Sequence, residues 1–178
     1  MKISNKILFL SVAVMTFISL SSCNKIKDAI HADVDIDQAS IDITIPPIAT
    51  TEEGKIAGAD NISAVDLSEY KGLKSVTLKS IKVELKEQDP EANFKALEKV
   101  SVEISSAGLE TKVIAGATNT DFVTNKYTLN IPVSGANIDI RNFVKNTFSY
   151  TIKGKAHSKT TKAIPATITA VYTVRFGL

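Results

Sequence analysis

Few residues of this chain carry side chains that could do chemistry, and they are widely separated. There is one cysteine, Cys23, and two histidines, His31 and His157. A single cysteine cannot form an internal disulfide, and neither histidine stands beside a serine, cysteine or acid at a spacing that makes a nucleophile and its base. Ser68-Glu69-Tyr70-Lys71 has the Ser-x-x-Lys spacing in which a lysine can take the serine proton. That chemistry needs both residues on one helix and a later Lys-Thr-Gly strand. Gly72 interrupts the segment and no Lys-Thr-Gly occurs. Asp33-Val34-Asp35-Ile36-Asp37 offers alternating carboxylates, the opening of a calcium loop. The glycine and glutamate required further on are replaced by Gln38 and Thr44. The interleaved Val34 and Ile36 fit a strand instead, so the acids are read as a solvated face. There is no phosphate-cradling glycine loop and no metal-spaced Cys/His cluster. The sequence therefore predicts no catalytic residues, no metal, no cofactor and no enzyme.

Cys23 has a different context. Lys2 and Lys6 precede an uncharged apolar run from Ile7 to Leu20, which closes on Leu20-Ser21-Ser22-Cys23. A positive flank, a short apolar core and small residues before a cut site make a secretory signal. The run is shorter than the roughly 20 apolar residues a spanning helix needs. Leu20-Ser21-Ser22-Cys23 resembles the lipobox of bacterial lipoproteins. The resemblance implies cleavage before Cys23 and lipid on its thiol and new amino terminus. One acyl chain holds a protein only marginally and two or more hold it stably, so membrane attachment through Cys23 needs no further helix. Asn24 stands where an Asp would imply retention at the inner membrane, and the resemblance thus favours the outer membrane, with the periplasmic or surface face open.

The chain carries 21 Lys+Arg against 19 Asp+Glu, and without Lys2 and Lys6 the two signs balance. No global charge argues for nucleic acid. The distribution is uneven. Asp28, Asp33, Asp35, Asp37, Asp42, Glu52, Glu53 and Asp60 face Lys55 alone in the first part, whereas Arg141, Lys145, Lys153, Lys155, Lys159, Lys162 and Arg175 close the chain without an acid. Either the two ends lie side by side and pair across strands, or Lys153, Lys155, Lys159 and Lys162 form a contact face for an anion or an acidic partner.

The elements that must position these residues are mostly strands. Period-two alternation appears at Val34/Ile36, Ile41/Ile43/Ile45, Val100/Val102/Ile104, Tyr127/Leu129/Ile131/Val133 and Phe148/Tyr150/Ile152. It is longest in Ile164/Ala166/Ile168/Ala170/Tyr172/Val174/Phe176. A strand is also expected around Val113-Ile114. Val76 and Leu78 change parity before Ile81, Val83 and Leu85, which predicts a bulge near Lys79-Ser80. Residues 48–65 read as an irregular connection. Asp89-Pro90-Glu91 predicts a capped short helix with Phe94 and Leu97 inward. Val65-Asp66-Leu67-Ser68-Glu69-Tyr70 and Ile138-Asp139-Ile140-Arg141-Asn142-Phe143 echo each other as single helical turns with Asp as cap.

The expected organisation is a signal peptide over 1–22, a lipidated tether over 23–30 and an all-β domain over 31–178. The fold class is an antiparallel β-sandwich of about seven or eight strands with one or two short helices, and a β-barrel is the alternative. The layout, with Phe94-Lys95-Ala96-Leu97-Glu98-Lys99-Val100-Ser101-Val102-Glu103-Ile104 after a long strand, resembles small uncharacterised Bacteroidetes envelope lipoproteins. The functional expectation is a lipid-anchored binding, accessory or scaffold module whose partner the sequence does not name, with an envelope protein or a glycan as the candidates. The alternatives are a surface solute- or glycan-binding lipoprotein and, lower, an envelope hydrolase. The absence of Trp and the scarcity of aromatics, 6% of the chain, weigh against sugar stacking.

Overall fold

A computed structural model describes residues 31–38, 40–49, 51–90, 93–118, 127–134 and 138–177. The expected signal peptide and tether, with Cys23, lie outside the described residues. The elements are β1 (His31–Asp37), β2 (Ile41–Ile45), β3 (Gly54–Ile62), β4 (Leu73–Leu85), a 3-10 turn (Phe94–Ala96), β5 (Leu97–Ser106), β6 (Lys112–Thr118), β7 (Thr128–Ile131), α1 (Arg141–Val144), β8 (Phe148–Ala156) and β9 (Ile164–Gly177).

Strict alternation gives β9 one apolar face, and that face must be covered. Ile164, Ala166, Ile168, Ala170, Tyr172 and Val174 are buried, while Thr167, Thr169, Thr173 and Arg175 turn outward. β9 lies between β4 on one side and β1 and β2 on the other, and β7 follows β4, all antiparallel. β1 and β2 continue one another along the same edge of β9. Asp37 pairs with Val171 and Ile41 with Ile168, so one residue is inserted between them. The second sheet runs β3-β8-β5-β6, also antiparallel.

The two sheets form a β-sandwich and do not close into a barrel. The chain leaves the first sheet after Ile131 and touches the edge of the second. There Gly116 N–H donates to the Pro132 carbonyl at 2.9 Å and Ser134 N–H to that of Ile114 at 2.9 Å. Nine strands among the described residues exceed the expected seven or eight. Val83, Ile104, Leu129, Ile131, Tyr150, Ile168 and Tyr172, all on the apolar positions of the expected strands, are buried. The bulge sits where parity broke, with the β4–β9 register shifting between Leu78 and Ser80.

Three local expectations are corrected. Residues 48–65 are not wholly irregular, because β3 occupies Gly54–Ile62. Its inward positions include Ala57 and Ala59, small side chains that give little hydrophobic contrast. Asp89 is not the cap of the following turn. Asn93 is, accepting the Lys95 N–H at 3.1 Å while its amide donates to the Asp89 and Pro90 carbonyls at 3.2 and 2.7 Å. An Asn can do both and a carboxylate cannot. Of the two echoed segments only the second is helical. Its cap is Ile140 rather than the expected Asp139, which one residue earlier accepts the Arg141 N–H at 3.0 Å and the Val76 N–H at 3.2 Å, tying α1 to β4. Asp66 accepts only from Ser68, through its N–H at 3.0 Å and its hydroxyl at 2.7 Å, and closes a local turn.

Candidate functional site

The residues singled out for chemistry do not converge. His31 begins β1 opposite Gly177, at one end of the sandwich. His157 follows β8 at the other end, its N–H bonded to the Ala96 carbonyl at 2.9 Å. The Ser68 hydroxyl is committed to Asp66, and Lys71 follows in a turn rather than on a shared helix. Among the described residues no three His, Cys, Asp or Glu side chains are grouped to hold a metal.

The carboxylates of β1 and β2 have assigned partners. Asp33 takes a two-pronged contact from Arg175, with Nε and Nη2 each at 2.8 Å. Those bonds hold the Asp33 carboxyl below its usual range. Asp35 accepts from Lys79 and from the Thr173 hydroxyl at 2.8 Å. Asp42 accepts from the Thr167 hydroxyl at 3.2 Å and pairs with Lys86 at 2.6 Å. Both of these carboxyls are also held low, first by their lysine hydrogen bonds. The second and third arrangements share one design. An acid on the edge, a threonine on β9 and a lysine on or just beyond β4 span three neighbouring strands.

The C-terminal lysines find acids too. Lys153 pairs with Glu103 at 2.7 Å, Lys155 with Glu98 at 2.9 Å, and Lys162 with Glu87 and Asp89 at 2.8 and 3.4 Å. Lys159, in the loop after β8, has no ion pair among the described residues. The structure therefore brings Lys153 and Lys155 onto one outer face and places Lys159 and Lys162 beyond its end. Cross-pairing of the first and last parts of the chain is realised by Asp33 and Arg175. The other partners come from the middle of the chain, because β4 and β5 lie beside β9 and β8. Exposed pairs of this kind contribute about 0–1 kcal/mol each. They neutralise a face more than they stabilise it.

Sequence reasoning missed one polar cluster. Tyr150 of β8 and Tyr172 of β9 reach toward each other between the sheets, and their hydroxyls are hydrogen-bonded. The Gln38 side-chain oxygen accepts from Tyr172 at 2.5 Å and from Tyr150 at 3.4 Å. Gln38 sits where β1 gives way to β2. Burial pushes the Tyr172 phenol up to about 12 and raises that of Tyr150 as well. Both stay protonated at neutral pH, which makes them poor nucleophiles or bases and good fixed hydrogen-bonding groups. The signal available in the sequence was two tyrosines on inward strand positions, where a phenol must find a partner.

Cavities are small or shallow. At the His157 end an apolar slot of about 30 Å³ is lined by Ile45, Ile48, Ile56, Phe94, Leu97 and Ile164. A neighbouring hollow of about 230 Å³ lies between the Pro46-Pro47 segment and Gly154. Both fall below the roughly 300–1,000 Å³ of small-molecule sites, and larger hollows of about 510, 430 and 390 Å³ are open depressions of the surface.

No protein-family model matches this chain. No curated protein matches it either. Among solved structures it is similar to Desmodium yellow mottle tymovirus, at 14% identity and a TM-score of 0.27, covering 83% of this chain and 90% of that one. A Triatoma virus structure gives 10% identity and a TM-score of 0.34, covering 82% and 66%. Cocksfoot mottle virus gives 8% and 0.29, covering 80% and 83%. Likeness at these levels carries no functional argument.

Proposed function

We propose that this chain is an exported lipoprotein, held at the outer membrane by acyl chains on Cys23, whose sandwich acts by binding as an accessory or scaffold module. One observation carries the reading. The only cysteine of the chain follows Leu20-Ser21-Ser22 at the close of an uncharged apolar run behind Lys2 and Lys6. Among the described residues no helix is long and apolar enough to cross a membrane, and lipid would supply the attachment. Binding is preferred to catalysis because the groups capable of chemistry are dispersed or tied into hydrogen bonds, as Ser68 and the two buried tyrosines are.

The test is metabolic labelling with a fatty-acid analogue in a bacterial host. Wild type should carry label and sediment with membranes. Cys23→Ala should lose the label and either retain the leader or leave the membrane. Equal labelling of the two would overturn the reading.

A further inference from the structure

Where the described chain begins fixes which end of the sandwich a tether would hold. His31 pairs with Gly177, and the Gly177 N–H donates to the Gly72 carbonyl at 3.0 Å, which brings the start of β4 to the same end. The turn between β5 and β6 and the segment between α1 and β8 also lie there, since Ser106 pairs with Phe148 and its hydroxyl donates to the Thr147 carbonyl at 2.9 Å. Asn24 to Ile30 can span at most about 25 Å when fully extended. β9 carries the opposite end roughly 40 Å farther away.

One corner of the tether end differs from the sheet faces. Among the described residues the exposed large hydrophobics are Val34, Leu109 and Val113, and two of the three flank the β5–β6 turn. Gly108, at φ 75°, supplies the left-handed residue of that turn, and a Cβ there would meet nothing within 4 Å. Beside it, Lys112 stands over the Phe143 ring at 5.9 Å from the centroid, and Lys145 ends α1. Neither lysine has an ion pair among the described residues, and the same is true of Lys55, Lys71, Lys74, Lys95 and Lys159, whereas Lys79, Lys82, Lys86, Lys99, Lys153, Lys155 and Lys162 each have one. The acids of this corner are Glu110 and Glu103, the second opposite Val113 and paired with Lys153.

We infer that this corner, Leu109 and Val113 flanked by Lys112 and Lys145, rests on an anionic bilayer surface and sets the sandwich end-on to the membrane. The inference rests on the lipid-anchor reading. An exposed aliphatic tip between unpaired lysines suits the interface, where apolar groups enter the headgroup boundary and lysines meet lipid phosphates. The tether keeps the corner at high local concentration, so a weak contact suffices. The sheet faces, where Lys79, Lys82, Lys99, Lys153 and Lys155 are already paired, have less to offer the same surface.

The experiment uses the full-length protein, extracted from membranes and reconstituted into phosphatidylcholine vesicles with or without phosphatidylglycerol. A nitrobenzoxadiazole dye is placed on Leu109→Cys or, at the far end, on Lys95→Cys. With phosphatidylglycerol present, the dye at 109 should shift to the blue with a several-fold rise in emission, and the dye at 95 should not change. Lys112→Glu with Lys145→Glu should abolish the rise while the acyl mass on Cys23 and sedimentation with vesicles persist. A dye at 109 that reports water on sedimenting, acylated protein would overturn the end-on contact and leave the anchor standing. Equal rises at 109 and 95, or a rise indifferent to both phosphatidylglycerol and the double reversal, would also overturn it. Wild type lacking acyl mass and failing to sediment would remove the anchor reading and this inference with it.

Discussion

β9 and β3 each contribute an inward face to the core, but they are held by different means. β9 is bonded along both edges and delivers large side chains, with Ile168, Tyr172 and Val174 each fully buried. β3 is an edge strand of the other sheet, and its inward face is Ala57, Ala59 and Ile62. It gains by closeness what it lacks in volume. A Cβ at Gly58 would lie 2.9 Å from the Tyr150 carbonyl oxygen, and one at Gly154, opposite Gly54, 2.9 Å from that of Lys99. One strand is therefore sensitive to lost volume and the other to added volume.

The largest expected effect tests the first half of that contrast. Ile168→Ala should cost about 2–5 kcal/mol, the range for truncating a buried aliphatic side chain. A urea melt of the variant beside wild type measures it, and an unchanged midpoint would mean that β9 does not hold the core. The contact between sheets comes next. Tyr172 is protonated in the fold with its phenol pushed up to about 12, whereas an unfolded tyrosine titrates near 10. Above pH 10 the unfolded chain binds fewer protons, so stability is full below that pH and falls as pH rises. Roughly 2–3 kcal/mol should be lost by pH 12. Tyr172→Phe should flatten this alkaline slope, read as urea midpoints against pH with phenolate absorbance as the second signal.

Gly58→Ala probes β3. Overpacking against fixed backbone typically costs about 1–3 kcal/mol, and here the obstacle is a carbonyl rather than a movable side chain. Ala57→Gly, which removes volume from the same strand, should cost less than Gly58→Ala. The reverse order would erase the distinction between the two strands. The smallest effect belongs to the outer faces. Lys153→Glu with Lys155→Glu should cost no more than about 1 kcal/mol of stability per pair, read from urea melts. On the acid side, Asp33, Asp35 and Asp42 are held low by their partners. Their contribution is present above the ordinary carboxylate range and lost as pH falls through the lowered values. High salt should shrink that acid-limb dependence.

The sandwich class, the inward residues of β4, β5, β7, β8 and β9 and the bulge near Ser80 were legible because alternation of large apolar and polar residues is a local property of a strand. β3 was not, since Gly and Ala on an inward face leave no contrast to detect. The helical turn expected at Asp66 and the one formed at Asp139 have the same local pattern. They differ because Val76 of β4 lies within reach of Asp139, which no short window of sequence contains.

The sequence by itself determined that this chain alternates toward a two-sided β structure, that its 21 basic and 19 acidic side chains nearly balance, and that its one cysteine, Cys23, follows Leu20-Ser21-Ser22 at the close of an uncharged apolar run. Only the tertiary structure decided who meets whom. Asp35 reaches Lys79 and Asp42 reaches Lys86 because β1 and β2 run along β9 opposite β4. Tyr150 meets Tyr172 because the two sheets face each other, and Lys112 and Lys145 have no ion pair among the described residues. Side-chain pattern is written along the chain and follows from backbone geometry. Partnership across strands and sheets depends on strand order and register, which long-range packing selects.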